Sequence, residues 1–209
     1  RDYDAEKLQK ATLDVKEAFK RAVDYFSTQL NIQGYELLPY ANQVAILIEV
    51  LRRIPIPTHE QYKVISQWFW RTSHAGYFTG WSTGAMKTDL QLISDFAEGK
   101  SKTITPYLNS PSSSIWKSRT FSLKNAHTKL LIILLSQNNP VDLLDGQKIS
   151  IAKPLSWNNA KEFHHFFPKA FLRQREVSKA SINSLANFIM LSSSSNKTIS
   201  AKPPSEYLR

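Results

Sequence analysis

The chain has 209 residues, of which 42% are apolar and 11% aromatic, so it can bury a core and is not a disordered tail. It contains no cysteine, which excludes disulfides and cysteine-ligated zinc, and no apolar run approaches the length of a membrane span. The net charge of +10 is compatible with a polyanionic partner.

The N-terminus indicates a fragment of a larger cytoplasmic polypeptide. The chain begins at Arg1 rather than Met, and a helical pattern starts almost at once. No secretory apolar segment follows, so we expect a cytoplasmic location and no membrane partner. A processed terminus is the alternative explanation of the Arg1 start.

The first half of the chain has the pattern of an α-helical bundle. Residues 4–30 repeat apolar side chains at helical spacing, with Lys and Glu between them. Residues 43–54 form a second, strongly apolar helix. Pro55 and Pro57 stop this second helix because proline lacks the amide hydrogen that a helix needs.

Capping residues predict two further helices. Thr58 and Gln61 have the spacing of a capping box and begin a third helix that continues through residues 68–70. Ser82 or Thr83 can cap a fourth helix that ends near Gly99.

The next segment is a loop followed by one more helix. Residues 100–118 are rich in Ser, Thr and Pro and predict a loop, and residues 122–137 predict a fifth helix. Asp145-Gly146 predicts a turn, and residues 148–152 predict a short strand. We therefore predict a mainly α fold, with a helical domain over residues 1–145 and a second domain over residues 146–209.

Positive charge is concentrated at the C-terminal end. Residues 153–209 contain nine Lys and Arg against three Glu and no Asp, a net charge of +6. Clustered positive charge favours a nucleic-acid partner, because each neutralised phosphate also releases counterions. A generally basic, soluble surface is the alternative.

Most histidines and the main aromatic cluster have structural explanations. His59 lies at a helix start and His127 on a helical pattern, so we expect structural roles for both. His74 follows the Trp68-Phe69-Trp70 cluster and is expected to pack inside the bundle. We expect that cluster to form core or an interdomain surface rather than a platform for nucleic-acid bases.

His164 and His165 differ from these because they are adjacent and precede Pro168 and Lys169. Neighbouring residues in a strand point to opposite faces, so the two imidazoles can take different roles. An imidazole can accept a proton from water near neutral pH, and Lys169 adds a cation where a phosphate could lie. Alone, the pair would be better explained as one surface and one buried histidine.

Two asparagines, Asn187 and Asn196, follow the histidine pair. Asn187 lies where a turn enters a buried strand. Residues 192–195 predict a second turn, after which Asn196 opens a short helix. The order of strand, long loop, strand, turn and helix gives a ββα outline.

The C-terminal residues resemble an HNH nuclease, the ββα-metal finger, in its DUF1524 branch. The similar segments are His164-His165-Phe-Phe-Pro168, residues 181–191 around Asn187, residues 195–197 and residues 202–208. Each piece is weak alone, but the ordered set is specific. The resemblance implies a ββα-metal nuclease module that follows the helical bundle.

The helical part resembles, less specifically, the segment that joins DUF262 to DUF1524 in GmrSD-type restriction proteins. Residues 37–40, 68–71 and 76–78 carry this likeness. It implies the C-terminal part of a bacterial phage-defence protein, whose DUF262 NTPase domain senses modified DNA. No segment of this chain resembles that sensor domain.

The HNH resemblance implies a role for each polar residue of the set. His165 would be the general base that activates water, and His164 with Asn196 would hold one divalent cation. Asn187 would tie the loop through backbone hydrogen bonds and orient His165. Contacts with DNA phosphates would come from Lys169, Arg173, Arg175 and Lys197.

One departure from the family concerns the metal. Many HNH sites have Asp where this chain has His164. A neutral imidazole favours Mn²⁺ or Ni²⁺ relative to Mg²⁺, so the cation is left open among these three.

We therefore expect a metal-dependent DNA endonuclease that nicks one strand at a time. A noncatalytic DNA-binding module with the same fold is the alternative, although the complete set of two His and two Asn argues against it. A helical interaction domain with a structural metal is a third reading, weakened by the lack of cysteine. The sequence leaves the oligomeric state open.

Overall fold

The structure, a computed structural model, describes residues 4–32, 34–108, 112–149 and 163–208. These residues are mainly helical, as predicted, and no helix among them is long and apolar enough to cross a membrane. The α-helices are α1 Ala5–Gln29, α2 Asn42–Arg53, α3 His59–Ala75, α4 Thr83–Ala97, α5 Ile115–Ser118, α6 Ala126–Gln137, α7 Lys169–Arg173, α8 Lys179–Ile182, α9 Ser193–Ile199 and α10 Pro204–Tyr207. The strands are β1 Phe163–His165 and β2 Phe188–Met190, and single 3₁₀ turns cover Tyr35–Leu37 and Leu185–Asn187.

The chain divides into two compact units. One contains Arg1–Leu30 and Tyr40–Pro111, and the other contains Asn31–Pro39 and Ser112–Arg209. The unit that holds the histidine pair therefore begins before the predicted boundary at residue 146, and it includes α5 and α6. The extent of the nuclease module itself, residues 146–209, stays a prediction.

The first four helices are present where their capping signals predict them. Asp4 caps α1 by accepting hydrogen bonds from two backbone amides of the first turn. Thr58 and Gln61 form the capping box of α3, and Gly76 ends that helix in the left-handed conformation, with φ of 68°. Ser82, rather than Thr83, caps α4.

Aromatic side chains form much of the core of the first unit. Trp68 and Phe69 are 2% and 0% exposed, which confirms the prediction that this cluster is core. Phe26 of α1 meets Phe69 edge to face at 6.0 Å between ring centroids. The buried Gln43 amide donates to the Ser73 hydroxyl at 2.8 Å, which satisfies a polar group inside this core.

The apolar repeat of α1 occupies more than one face of the helix. Leu8, Val15, Phe19 and Val23 are between 46% and 59% exposed. The buried residues of this helix are Ala18, Ala22, Tyr25 and Phe26. Packing in the first unit thus uses only the C-terminal half of α1.

The second unit differs locally from the prediction in three places. Helix α5 lies inside the predicted loop 100–118, so the loop prediction is wrong for those four residues. Helix α6 begins at Ala126 rather than residue 122, because the Asn125 side chain caps it by accepting from the His127 amide. At the predicted strand 148–152, Lys148 forms an isolated bridge with Val141, and residues 150–152 lie outside the described ranges.

Candidate active site

The two histidines lie on a short hairpin-like pair of strands. Strands β1 and β2 pair antiparallel, with His164 opposite Ile189 and His165 opposite Phe188. Helix α9, which carries Asn196, follows β2 after two residues. Short helices α7 and α8 occupy the predicted long loop between the strands. The predicted order of strand, strand and helix is therefore present.

The start of α9 differs from the prediction. The helix begins at Ser193, so the predicted turn at residues 192–195 is wrong and Asn196 lies inside the helix. The reason is a local cap: the Ser192 hydroxyl accepts a hydrogen bond from the Ser195 amide at 3.2 Å. Asn196 is half-buried, and the next residue, Lys197, is exposed.

His165 lies in a partly buried environment beside an aromatic ring. Its imidazole centroid is 4.3 Å from that of Phe188, and its Nε2 is 3.3 Å from the Asn183 Oδ1. Burial lowers the pKa of His165 below 6.5, the hydrogen bond with Asn183 opposes this change, and electrostatic interaction with Lys169 and His164 lowers the pKa further. The imidazole is therefore neutral at pH 7 and can accept a proton.

His164 and Asn196 are the predicted metal ligands, and both are half-buried. The Nε2 atom of His164 is shielded from solvent. Across the described ranges, no group of three or more His, Asp or Glu side chains could hold a metal ion. The predicted ligands are one imidazole and one amide, a pair that such a group would not include. The metal site at His164 and Asn196 therefore stays a prediction.

Asn187 ties down the backbone that follows β1. Its side-chain Oδ1 accepts from the Phe167 amide at 2.8 Å, and its Nδ2 donates to the carbonyls of Phe167 at 3.2 Å and Ile182 at 2.9 Å. The Phe166 amide donates to the Asn187 carbonyl, and the Tyr207 hydroxyl donates to the Phe166 carbonyl. The residues directly after His165 are thereby held in one conformation.

A buried carboxylate holds the first turn of α9. Asp142, which is 3% exposed, accepts from the Ser192 amide at 2.8 Å and from the Ser195 hydroxyl at 2.6 Å. Burial alone would raise the pKa of Asp142, but these hydrogen bonds outweigh it and lower the pKa to about 2. Asp142 thus fixes the helix that carries Asn196.

A segment before α6 supports the site from another side. The Phe121 amide donates to the Asn183 carbonyl at 2.8 Å, and Thr120 forms a bridge with Ser184. The Phe121 ring stacks on Phe188 with 4.0 Å between centroids and 15° between planes. Residues 119–121 therefore belong to the support of the histidine strand.

The predicted phosphate contacts are all on the surface. These residues are Lys169, Arg173, Arg175 and Lys197. None of the four forms an ion pair with a carboxylate within the described residues. The Arg175 guanidinium stacks 3.7 Å from the centre of the Phe171 ring and donates to the Phe171 carbonyl. The Arg175 guanidinium thus already has a protein partner. Lys169, Arg173 and Lys197 have no carboxylate partner within the described residues.

The supporting roles of Asp142, Tyr207 and Asn183 were not predicted from the sequence. Asp142 and Tyr207 act on the site over 50 and 41 positions of chain, which no local pattern reveals. Asn183 lies inside the segment that resembles the HNH family, but that resemblance implies no role for its side chain.

The three remaining histidines lie on helices α3 and α6. His59 is exposed at the first position of α3, His74 is half-buried near the end of α3, and His127 is buried in α6.

Comparison with known proteins gives one similar sequence and no family. No family model and no solved structure matches the chain. The uncharacterized protein MJ0686 of Methanocaldococcus jannaschii is 25% identical over 177 residues, which are 82% of this chain and 28% of that protein. The chain thus spans less than a third of the length of this relative.

Proposed function

We propose that the chain is part of a metal-dependent DNA endonuclease of the HNH type, in its DUF1524 branch, that nicks DNA. One observation carries the proposal: a histidine pair on β1 is followed by an asparagine that ties the backbone after β1, and then by β2 and α9 with a second asparagine. A packing role alone would not require this order of polar residues on these elements.

His165 is the proposed general base. Its imidazole is neutral at pH 7 because burial lowers its pKa. It takes a proton from water, and the resulting hydroxide attacks the phosphorus while the bond from phosphorus to the 3′ oxygen breaks. Asn187 contributes by holding Phe167 and so fixing the backbone just after His165.

His164 and Asn196 are the proposed ligands of one divalent cation, Mg²⁺, Mn²⁺ or Ni²⁺. An imidazole nitrogen and an amide oxygen are both neutral donors, which fits a cation whose remaining positions are filled by water and a phosphate. When bound, the cation would neutralise the scissile phosphate and stabilise the leaving 3′ oxygen.

The positive surface of the second unit is the proposed DNA contact. Lys169 is close enough to His165 to lower its pKa, so its charge acts near the proposed reaction centre. Exposed cations on α7 and α9 contact phosphates without reading sequence. In this proposal the chain is the cytoplasmic effector of an anti-phage restriction system, and a DUF262 NTPase domain supplies recognition of modified DNA.

Relaxation of supercoiled plasmid tests the proposal. Wild-type protein is incubated with Mg²⁺, Mn²⁺, Ni²⁺ or a chelator, beside His165→Ala and Asn196→Ala. His59→Ala is the matched control, because His59 is exposed on α3. We expect metal-dependent nicking by the wild type and the control, and its loss in the other two variants.

Two results would count against the nuclease. Nicking that persists in both His165→Ala and Asn196→Ala would assign the activity to other residues or to a contaminant. DNA binding without nicking in any metal would favour the noncatalytic DNA-binding module instead.

A further inference from the structure

The side chain of Asn183 faces the imidazole of His165 in a defined orientation. The Asn183 Nδ2 donates to the Lys179 carbonyl at 2.8 Å, which leaves Oδ1 as the atom 3.3 Å from the His165 Nε2. An amide oxygen only accepts hydrogen bonds, so Nε2 must be the donor in this contact. The neutral imidazole is therefore the tautomer that carries its proton on Nε2.

Asn183 is itself held by bonds on both sides. Its backbone amide donates to the Lys179 carbonyl at 3.2 Å, and its carbonyl accepts from the Phe121 amide at 2.8 Å. Phe121 also stacks on Phe188, the ring that contacts His165. The hydrogen-bond partner and the ring contact of His165 are thus joined through Phe121.

We propose that Asn183 is a positioning residue that holds the imidazole of His165 through Nε2, and so fixes both the orientation of the ring and the tautomer with a bare Nδ1. The inference rests on the proposed nuclease function for the reaction that the oriented ring serves. Asn183 can take this role because the Lys179 carbonyl holds its side-chain amide and the Phe121 amide holds its backbone carbonyl.

The first test is spectroscopic and does not need activity. Long-range ¹H–¹⁵N NMR of metal-free protein at pH 8 reports which nitrogen of each histidine carries the proton. The His165 signal is assigned by its absence in His165→Gln. We expect a protonated Nε2 and a bare Nδ1 in the wild type, and a protonated Nδ1 there would overturn the proposal even if the protein nicks DNA.

The second test uses two substitutions that separate the acceptor from the bond to Lys179. Asn183→Asp keeps an acceptor oxygen beside His165 but loses the donor to Lys179, whereas Asn183→Leu loses both. We expect Asn183→Leu to mix the two tautomers and to lower kcat by about 10- to 100-fold with little change in KM, as when an orienting partner of a histidine is removed. Asn183→Asp should keep the wild-type tautomer, because its carboxylate still accepts a hydrogen bond from Nε2.

An unchanged His165 tautomer in Asn183→Leu would show a merely structural role and overturn the proposal. If Asn183→Leu does not fold, the wild-type spectrum and Asn183→Asp still decide. Absence of nicking by the wild type in every metal would refute the proposed function, and the tautomer measurement would remain a separate result.

Discussion

Asp142 and Ser195 are 53 positions apart in the chain, yet the carboxylate of one accepts a hydrogen bond of 2.6 Å from the hydroxyl of the other. The second carboxylate oxygen accepts from the Ser192 amide. The turn around Asp145-Gly146 is thereby joined to the first turn of α9, directly before Asn196. The position of the proposed metal ligand depends on a residue outside the predicted nuclease domain.

Replacing Asp142 should destabilise the second unit and reduce nicking. In Asp142→Asn one acceptor becomes a donor, which leaves a buried amide or hydroxyl without its partner and costs roughly 2–3 kcal/mol. Urea unfolding measures the loss. Asp145→Asn is the control, since Asp145 is exposed in the turn, and its cost should stay within about 0.5 kcal/mol. Equal unfolding midpoints for the two variants would refute this role of Asp142.

The stabilising effect of Asp142 should disappear in acid. Its pKa is about 2 in the folded chain against an ordinary value of 3.8, so the folded state favours the charged form. The contribution is complete above the ordinary value and is lost as the pH falls toward 2. The difference in unfolding free energy between wild type and Asp142→Asn should therefore be constant from pH 5 to 7 and shrink below about pH 4. A difference that grows in acid would contradict the assigned pKa shift.

Asn187→Ala should release the backbone after β1. The substitution removes three side-chain hydrogen bonds to Phe167 and Ile182, and we expect a loss of about 3 kcal/mol. Hydrogen exchange of the Phe167 amide measures the local effect, which should be faster exchange than in the wild type. Asn138→Ala removes a single bond at an exposed helix end and serves as control. Unchanged protection of the Phe167 amide in Asn187→Ala would show that Asn187 does not hold this backbone in place.

Lys197 should contact the DNA backbone without reading its sequence. We expect Lys197→Ala to weaken binding to all duplexes alike and to reduce the slope of log K against log salt by about 1. Lys87→Ala is the matched control for the lost charge, because Lys87 is exposed on α4 in the other unit. The same slope in wild type and Lys197→Ala would remove this residue from the DNA contact.

The first four helices could be predicted because their signals are local. The capping box of Thr58 and Gln61 and the glycine at position 76 act within one helical turn, and the structure contains both. The exposed apolar residues of α1, Leu8, Val15, Phe19 and Val23, show what such local signals cannot predict. Periodicity locates apolar residues on a helix, but it does not say which of them another element will cover.

The site could be predicted only in part. The order of the strands and of α9 follows from the residues, whereas helices α7, α8 and α10 have four or five residues each and show too little periodicity to be recognised. Asp142 was missed because its partners lie 50 and 53 positions away. The sequence does not predict the start of α9 at Ser193, because a Ser-rich run is typical of a turn, whereas Ser192 is a helix cap here.

The central claim is that the imidazole of His165 removes a proton from water, and chemical rescue tests it most directly. His165→Gly leaves a cavity into which free imidazole can diffuse, so added imidazole should raise its metal-dependent nicking rate in proportion to concentration. Asn196→Ala should not respond to imidazole, because its defect lies in the metal site. A His165→Gly protein that nicks as fast as wild type without imidazole would contradict the account.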